Sequence, residues 1–296
     1  MKTKELTLML IAAIMCLFVS SCSKDDDEEA LLSVEIKADG TTSNGSIFSA
    51  IDDKNFYLDY VKYTVESDHL EVSDFDKANL KGNVTIPATI TYKGTSYNVL
   101  SVCDHAFFRC YGVTSVIIGD NVTSIGEYAF DFCNKLETVM IGNGVKTIGD
   151  GAFNSCSSLK SLTIGNNVTS IGMHAFADCT ELVAINIPNC VTSIGHRAFY
   201  NCKNVKSITI GENVEEIYVS AFDTNSMPKE IHCKATIPPM CYSGNTYYAW
   251  DRVFNMEDYY RSTLYVPKGT RDAYDKSMTF YKTFSDWGGF QNIIEE

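Results

Sequence analysis

The dipeptide Ala-Phe recurs at Ala106-Phe107, Ala129-Phe130, Ala152-Phe153, Ala175-Phe176, Ala198-Phe199 and Ala221-Phe222, six copies at a spacing of 23 residues. This period constrains the fold more than any other feature, because equal spacing returns each copy to the same environment on the next turn of a solenoid. Isoleucine holds the register ahead of the pair at Ile125, Ile148, Ile171, Ile194 and Ile217, and cysteine behind it at Cys110, Cys133, Cys156, Cys179 and Cys202. One repeat is typified by residues 145–167, VKTIGDGAFNSCSSLKSLTIGNN. Within it Leu162 and Ile164 alternate with Ser161 and Thr163, the period-2 pattern of a strand with one buried face. Gly165-Asn166-Asn167 supplies a corner, residues 168–171 a second short strand, and the Ala-Phe segment a single helical turn. No repeat buries its apolar side alone. Stacking at the interstrand spacing of about 4.8 Å sets each Phe and Ile against its copies and makes one continuous core.

The order Ile-Gly, Ala-Phe, Cys, Leu-x-x-Leu-x-Ile resembles the repeat of the BspA-like leucine-rich repeat family over residues 84–290, more than two thirds of the chain. Leu264-Tyr265-Val266-Pro267-Lys268-Gly269, Tyr274 and the terminal residues 290–294 are similar to that family's closing segment. The resemblance implies a β-rich leucine-rich repeat solenoid of about six rungs with short helical turns, and a non-enzymatic role in adhesion to extracellular matrix and other cells.

A stack needs both ends covered. Residues 31–83 alternate apolar and polar without an Ala-Phe unit and are expected to form an N-terminal β cap; residues 84–233 form the solenoid and 234–296 a C-terminal loop and cap. The first rung carries nine extra residues, read as a hairpin around Lys93-Gly94. A loop from Pro238-Pro239 to Ser262 is expected to interrupt the solenoid.

The N-terminus reads as an address. Lys2 and Lys4 precede an apolar run of 14 residues, Leu6 to Val19, short of the roughly 20 that span a bilayer. Val19-Ser20-Ser21-Cys22 resembles a lipoprotein box, so residues 1–21 are read as a signal peptide and Cys22 as the lipidated residue. Residues 22–30, with Asp25-Asp26-Asp27-Glu28-Glu29, form an acidic tether similar to that of surface-exported lipoproteins, so an outer-membrane lipoprotein exposed at the cell surface is expected, held by lipid alone. With 24 basic against 37 acidic residues the formal charge is −13, which lacks the cationic surface that nucleic acid requires.

No motif for a catalytic triad, zinc protease or nucleotide loop occurs, and neither a metal nor a cofactor is expected. The outward strand positions Ser115, Thr138, Ser161, Ala184 and Ser207, beside Ile117, Met140, Thr163, Asn186 and Thr209, are uncharged and cannot do acid–base chemistry. They read as a solvated strand face or a contact face. The cysteine column reads as buried thiols, against a disulfide, for which Cys233 and Cys241 are the favoured pair, or a metal stack. The acids Asp104, Glu127 and Asp150 each either cap their own helical turn or jointly hold calcium. Tyr242, Tyr247, Tyr248, Trp250, Phe254, Tyr259 and Tyr260 either pack the cap or present a ligand surface, with Tyr247, Tyr248, Trp250, Tyr259 and Tyr260 as the candidate contacts. The expected partner is an extracellular protein, with a glycan captured for nutrition as the alternative.

Overall fold

The computed structural model describes residues 33–37, 40–242, 253–275, 287 and 290–296. The signal and tether segments, Cys22, Tyr247, Tyr248 and Trp250 lie outside the described residues. Helix is confined, among those described, to two short elements, Met256–Arg261 and Arg271–Asp275; the rest is strand and turn.

Each rung adds one strand to each of two parallel ladders. On one side Ser101, Ser124, Thr147, Ser170, Ser193 and Glu216 pair in sequence, always 23 residues apart, and the two-residue strands Ser124–Ile125, Thr147–Ile148, Ser170–Ile171 and Ser193–Ile194 are their cores. The other side divides into two sheets. One orders the strands Ser161–Thr163, Thr138–Ile141, Val113–Ile118 and Gly82–Ile86; the second orders Ala184–Asn186, Ser207–Ile210, Glu230–Cys233, Thr263–Val266 and Asn292–Glu295. At the division Leu162 is half-buried, whereas its register mates Val139 and Ile185 are fully buried.

Before the repeats, Phe48–Ala50, Asn55–Leu58, Val61–Val65 and His69–Phe75 form an antiparallel meander. Its last strand turns parallel and pairs with Thr95–Val102, so the meander is hydrogen-bonded onto the end of the longer ladder. The extra residues of the first rung form the hairpin Thr89–Tyr92 with Thr95–Val102, closed at Lys93 and Gly94, whose φ angles of 51° and 78° suit a two-residue turn with the hand of the strand twist. Sequence spacing had located that hairpin.

The core is a column of rings. Phe107, Phe130, Phe153, Phe176, Phe199 and Phe222 stack with successive centroids 4.6, 4.9, 5.2, 5.2 and 5.6 Å apart and ring planes within 8° of parallel. Phe75 extends the column at one end and Phe254 at the other, at 5.9 and 5.5 Å. Phe254 corrects the expected interruption: the Phe222 amide donates to the Val253 carbonyl as each earlier Phe amide donates to the next Ala, so Val253-Phe254 occupies the seventh Ala-Phe position despite the lengthened loop. Trp287, Phe290 and Tyr259 then meet Phe254 edge-on and close the stack.

The helical turn expected at Ala-Phe is a chain of overlapping i→i+3 turns, as at residues 103–110 and 149–156, with residues in the left-handed region within it. His105, Tyr128, Gly151, His174, Arg197 and Ser220 have φ of 52–61°, a 23-residue column in which glycine appears once. The strain of that conformation for the other five is offset because their amides turn outward along the stack, as where His105 N donates to Glu127 O, Tyr128 N to Asp150 O and His174 N to His196 O. Gly172 is required for another reason: a Cβ there would lie 2.6 Å from the Gly149 carbonyl carbon and 2.7 Å from the Asp150 amide.

The cysteine column has a structural job. Cys133, Cys156, Cys179 and Cys202 each donate Sγ–H, at 3.3–3.4 Å, to the Phe carbonyl of the preceding rung. Cys103, Cys110, Cys133, Cys156, Cys179, Cys190, Cys202 and Cys233 carry no disulfide, so the favoured pairing of Cys233 with Cys241 is not formed. Burial pushes the Cys110 thiol up to about 12 and the Cys156 and Cys179 thiols well above their ordinary value, and a thiol so protonated is a poor nucleophile. Cys190 is exposed. A protein of residues 30–296 treated with a thiol reagent at pH 8 is therefore expected to show one fast-reacting group, abolished by Cys190→Ser, with the others released on denaturation. Fast reaction of two or more ladder thiols in the native protein would contradict this assignment.

Candidate recognition surface

The broad strand face holds its side chains in register. Ser115, Thr138 and Ser161 align on one sheet, Ala184 and Ser207 on the next, all half-buried by their neighbours. Asn186 is exposed, but Met140, read from the sequence as outward, is only 4% exposed. Its partners in register are Ile117 and Thr163, and a flexible thioether between them can lie along the sheet instead of standing into water. The two register lines continue beyond the regular repeats into charge: Ser207 leads to Glu230 and Thr209 to His232, then Tyr265. The His232 ring stacks on Tyr265 at 4.4 Å and 6°, with Nδ1 2.9 Å from Glu296 Oε1 and Nε2 3.7 Å from Glu230 Oε2. Sequence reading missed this cluster, although counting 23 from Ser207 and Thr209 would have found its first two members.

The opposite ladder also ends in aromatics. Tyr218 stacks on Tyr242 at 4.8 Å, and both hydroxyls donate to the Glu216 carboxylate, at 3.3 and 3.0 Å. Burial and the Glu216 charge raise the Tyr218 phenol, and the hydrogen bond to Glu216 raises that of Tyr242, so both remain donors at neutral pH. Tyr218 is 37% exposed.

Of the aromatic candidates, Tyr259 and Tyr260 fall in the described residues and separate. Tyr260 is 57% exposed. Tyr259 is 2% exposed and packs 5.0 Å from Phe290, which corrects its placement on the ligand surface: adjacent residues of the helix Met256–Arg261 are turned about 100° from one another, and this one faces the end of the Phe column.

Two of the three acids in the column act across rungs. Asp104 Oδ1 accepts from the Glu127 amide and Asp150 Oδ1 from the Met173 amide, both at 2.7 Å, so each of these acids caps the next rung and not its own. Among the described residues no group of three His, Cys, Asp or Glu converges for a metal. His174 lies against His196 and its imidazole is lowered, chiefly by burial and then by the Arg197 charge.

Residues 100–229 match the model of the BspA type leucine rich repeat region in six copies. Among solved structures, a leucine rich cell surface protein from Faecalibacterium prausnitzii aligns with a TM-score of 0.57 and 28% identity, over 74% of this chain and 56% of its own. A leucine-rich repeat protein from Bacteroides ovatus aligns at 0.54 and 30%, over 72% and 56%. The T. pallidum leucine rich repeat protein aligns at 0.51 and 25%, over 59% of this chain and 84% of its own. The chain thus spans little more than half the length of the first two. No curated protein matches it.

Proposed function

Since the repeat region, residues 100–229, belongs to the BspA type leucine-rich repeat family, whose members serve as binding scaffolds, we propose that this chain is a non-enzymatic cell-surface lipoprotein that adheres to matrix or host proteins or to other cells. The observation that carries the proposal is the strand face, where uncharged side chains, mostly hydroxyls and amides with Ile117, Met140 and Ala184 among them, lie in register on two consecutive sheets. Such a face offers hydrogen bonds spaced one rung apart and little desolvation of charge, which suits an extended protein surface. Anchoring is assigned to Cys22, consistent with no described helix being long and apolar enough to cross a membrane. The relative from F. prausnitzii is described as a cell surface protein, which supports the same location.

The second reading, glycan capture at the surface, is favoured by the Tyr218–Tyr242 stack with its Glu216 acceptor; Tyr248 and Trp250 follow Tyr242 in sequence and remain its candidate sugar platforms. Arrays of extracellular-matrix proteins and of purified neutral glycans, probed with residues 30–296 at physiological salt, separate the two. Saturable protein binding with silent glycans is the expected result. Saturable neutral-glycan binding that is lost on Trp250→Ala or Tyr218→Ala, with silent proteins, would overturn adhesion in favour of capture.

A further inference from the structure

At the N-terminal end of the Phe column an open cavity of about 560 Å3 lies between the segment 75–81 and the turn 108–112. Its size falls within the roughly 300–1,000 Å3 of small-ligand sites. The walls are joined backbone to backbone: Gly82 N donates to Gly112 O at 2.9 Å, and Gly112 packs so closely on the Leu80 carbonyl that a side chain there would collide with it. The backbone walls of the cavity are therefore held in place before a ligand enters.

Its chemistry is opposite to that of the molecule. The chain carries −13, yet the lining holds Lys77, Lys81 and Arg109 and no carboxylate. Among the described residues none of these three makes an ion pair, as holds for most lysines and arginines of the chain, and the Arg109 charge acts on the carboxyl of Asp131 outside the lining. The Arg109 guanidinium is held 5.0 Å over the Phe108 ring and 5.5 Å from Phe132, an arrangement that fixes its plane and leaves its fork of donors to meet a carboxylate. Between the cations the surface is aromatic and aliphatic, with Tyr111 51% exposed and Leu80 on the floor. Three cations without a salt bridge around an apolar patch suit an anion attached to a ring that has an apolar face. Backbone pairing between the two walls leaves no strand edge here for an extended peptide to join.

We propose that this cavity binds an acidic sugar residue, a uronate or sialate, with its carboxylate on Arg109 and the lysines and its C–H face on Tyr111 and Phe108. The site lies apart from the strand face and goes beyond the adhesion proposed above, so either can fail while the other stands. The test is calorimetric titration of the full-length chain with glucuronic acid, N-acetylneuraminic acid, methyl glucuronate ester, glucose and benzoate. The expected result is that at least one acidic sugar binds about tenfold or more tightly than the ester and glucose, and that Lys81→Gln with Arg109→Gln removes this preference while Trp250→Ala does not. Tyr111→Ala, an exposed position that folding does not need, is expected to weaken the acidic sugar as well. Equal affinity for acid and ester, no binding of either acid, an unchanged preference in the double variant, or benzoate binding that exceeds both sugars would each overturn the assignment.

Discussion

Phe153→Ala is expected to lower the stability of the domain by about 3 to 5 kcal/mol, the largest single-residue effect on the core. Phe153 has no exposed surface, and its ring lies between Phe130 at 4.9 Å and Phe176 at 5.2 Å, within 3° of both planes. Truncation removes the ring's own burial and one face of contact from each neighbour, and the rigid rung spacing prevents the neighbours from closing the gap. Because each rung is stabilised by the next, the loss should also divide the unfolding transition, with the segments on either side of the substitution melting apart. Urea unfolding of the wild type and variant checks both effects. A loss below about 1 kcal/mol would mean that the ring does not bear on the core.

Asp258 gives the second large effect, and its sign is set by burial. The residue is fully buried at the start of the helix Met256–Arg261, where one carboxylate oxygen accepts from the Asn255 amide at 3.2 Å. Desolvation, reinforced by the charges of Asp223 and Glu257, pushes its carboxyl up to about 7. The folded state then holds a proton that the unfolded state releases near pH 4, so between these values unfolding liberates a proton and stability falls as pH rises. The contribution is intact below pH 4 and is lost through pH 7, at about 1.4 kcal/mol per pH unit and of the order of 3 to 4 kcal/mol in all. Asp258→Asn keeps an oxygen for the Asn255 amide and carries no charge, so its stability relative to wild type should rise by that amount from pH 4 to pH 8. Parallel pH profiles for the two proteins would show that the carboxyl is not held protonated in the fold.

Period made the fold legible. The Ala, Phe, Ile and Cys positions that repeat at 23 residues are legible as core from sequence, because identical spacing admits one stacked solution, and the hairpin at Lys93-Gly94 shows as surplus length. What escaped was set by neighbours across rungs. Phe254 continues the ring column 32 residues after Phe222 instead of 23, so its register is visible in packing and not in spacing. Nothing in the residue types of Tyr128 or His174 marks a left-handed backbone; the interrung hydrogen bonds impose it. Asp104 and Asp150 cap backbone amides as expected but on the next rung, since a cap two or three residues away and a cap 23 residues away look alike in sequence. The candidate surface was less legible still, because Tyr259 and Tyr260 differ only in which side of a short helix they occupy. The cationic cavity joins residues 77–81 to 108–112, a proximity that no local pattern records.

The central claim, that the strand face is the adhesive surface, is tested most directly by placing charge on it. Thr163→Lys with Asn186→Lys modifies adjacent rungs of the face, and Asn167→Lys with Asn213→Lys modifies two exposed corners as a charge-matched control. Binding of the three proteins to the same extracellular-matrix panel is the measurement. The account predicts a loss of about tenfold or more for the face variant and wild-type binding for the corner variant. Equal binding by all three would contradict it and place adhesion elsewhere on the molecule.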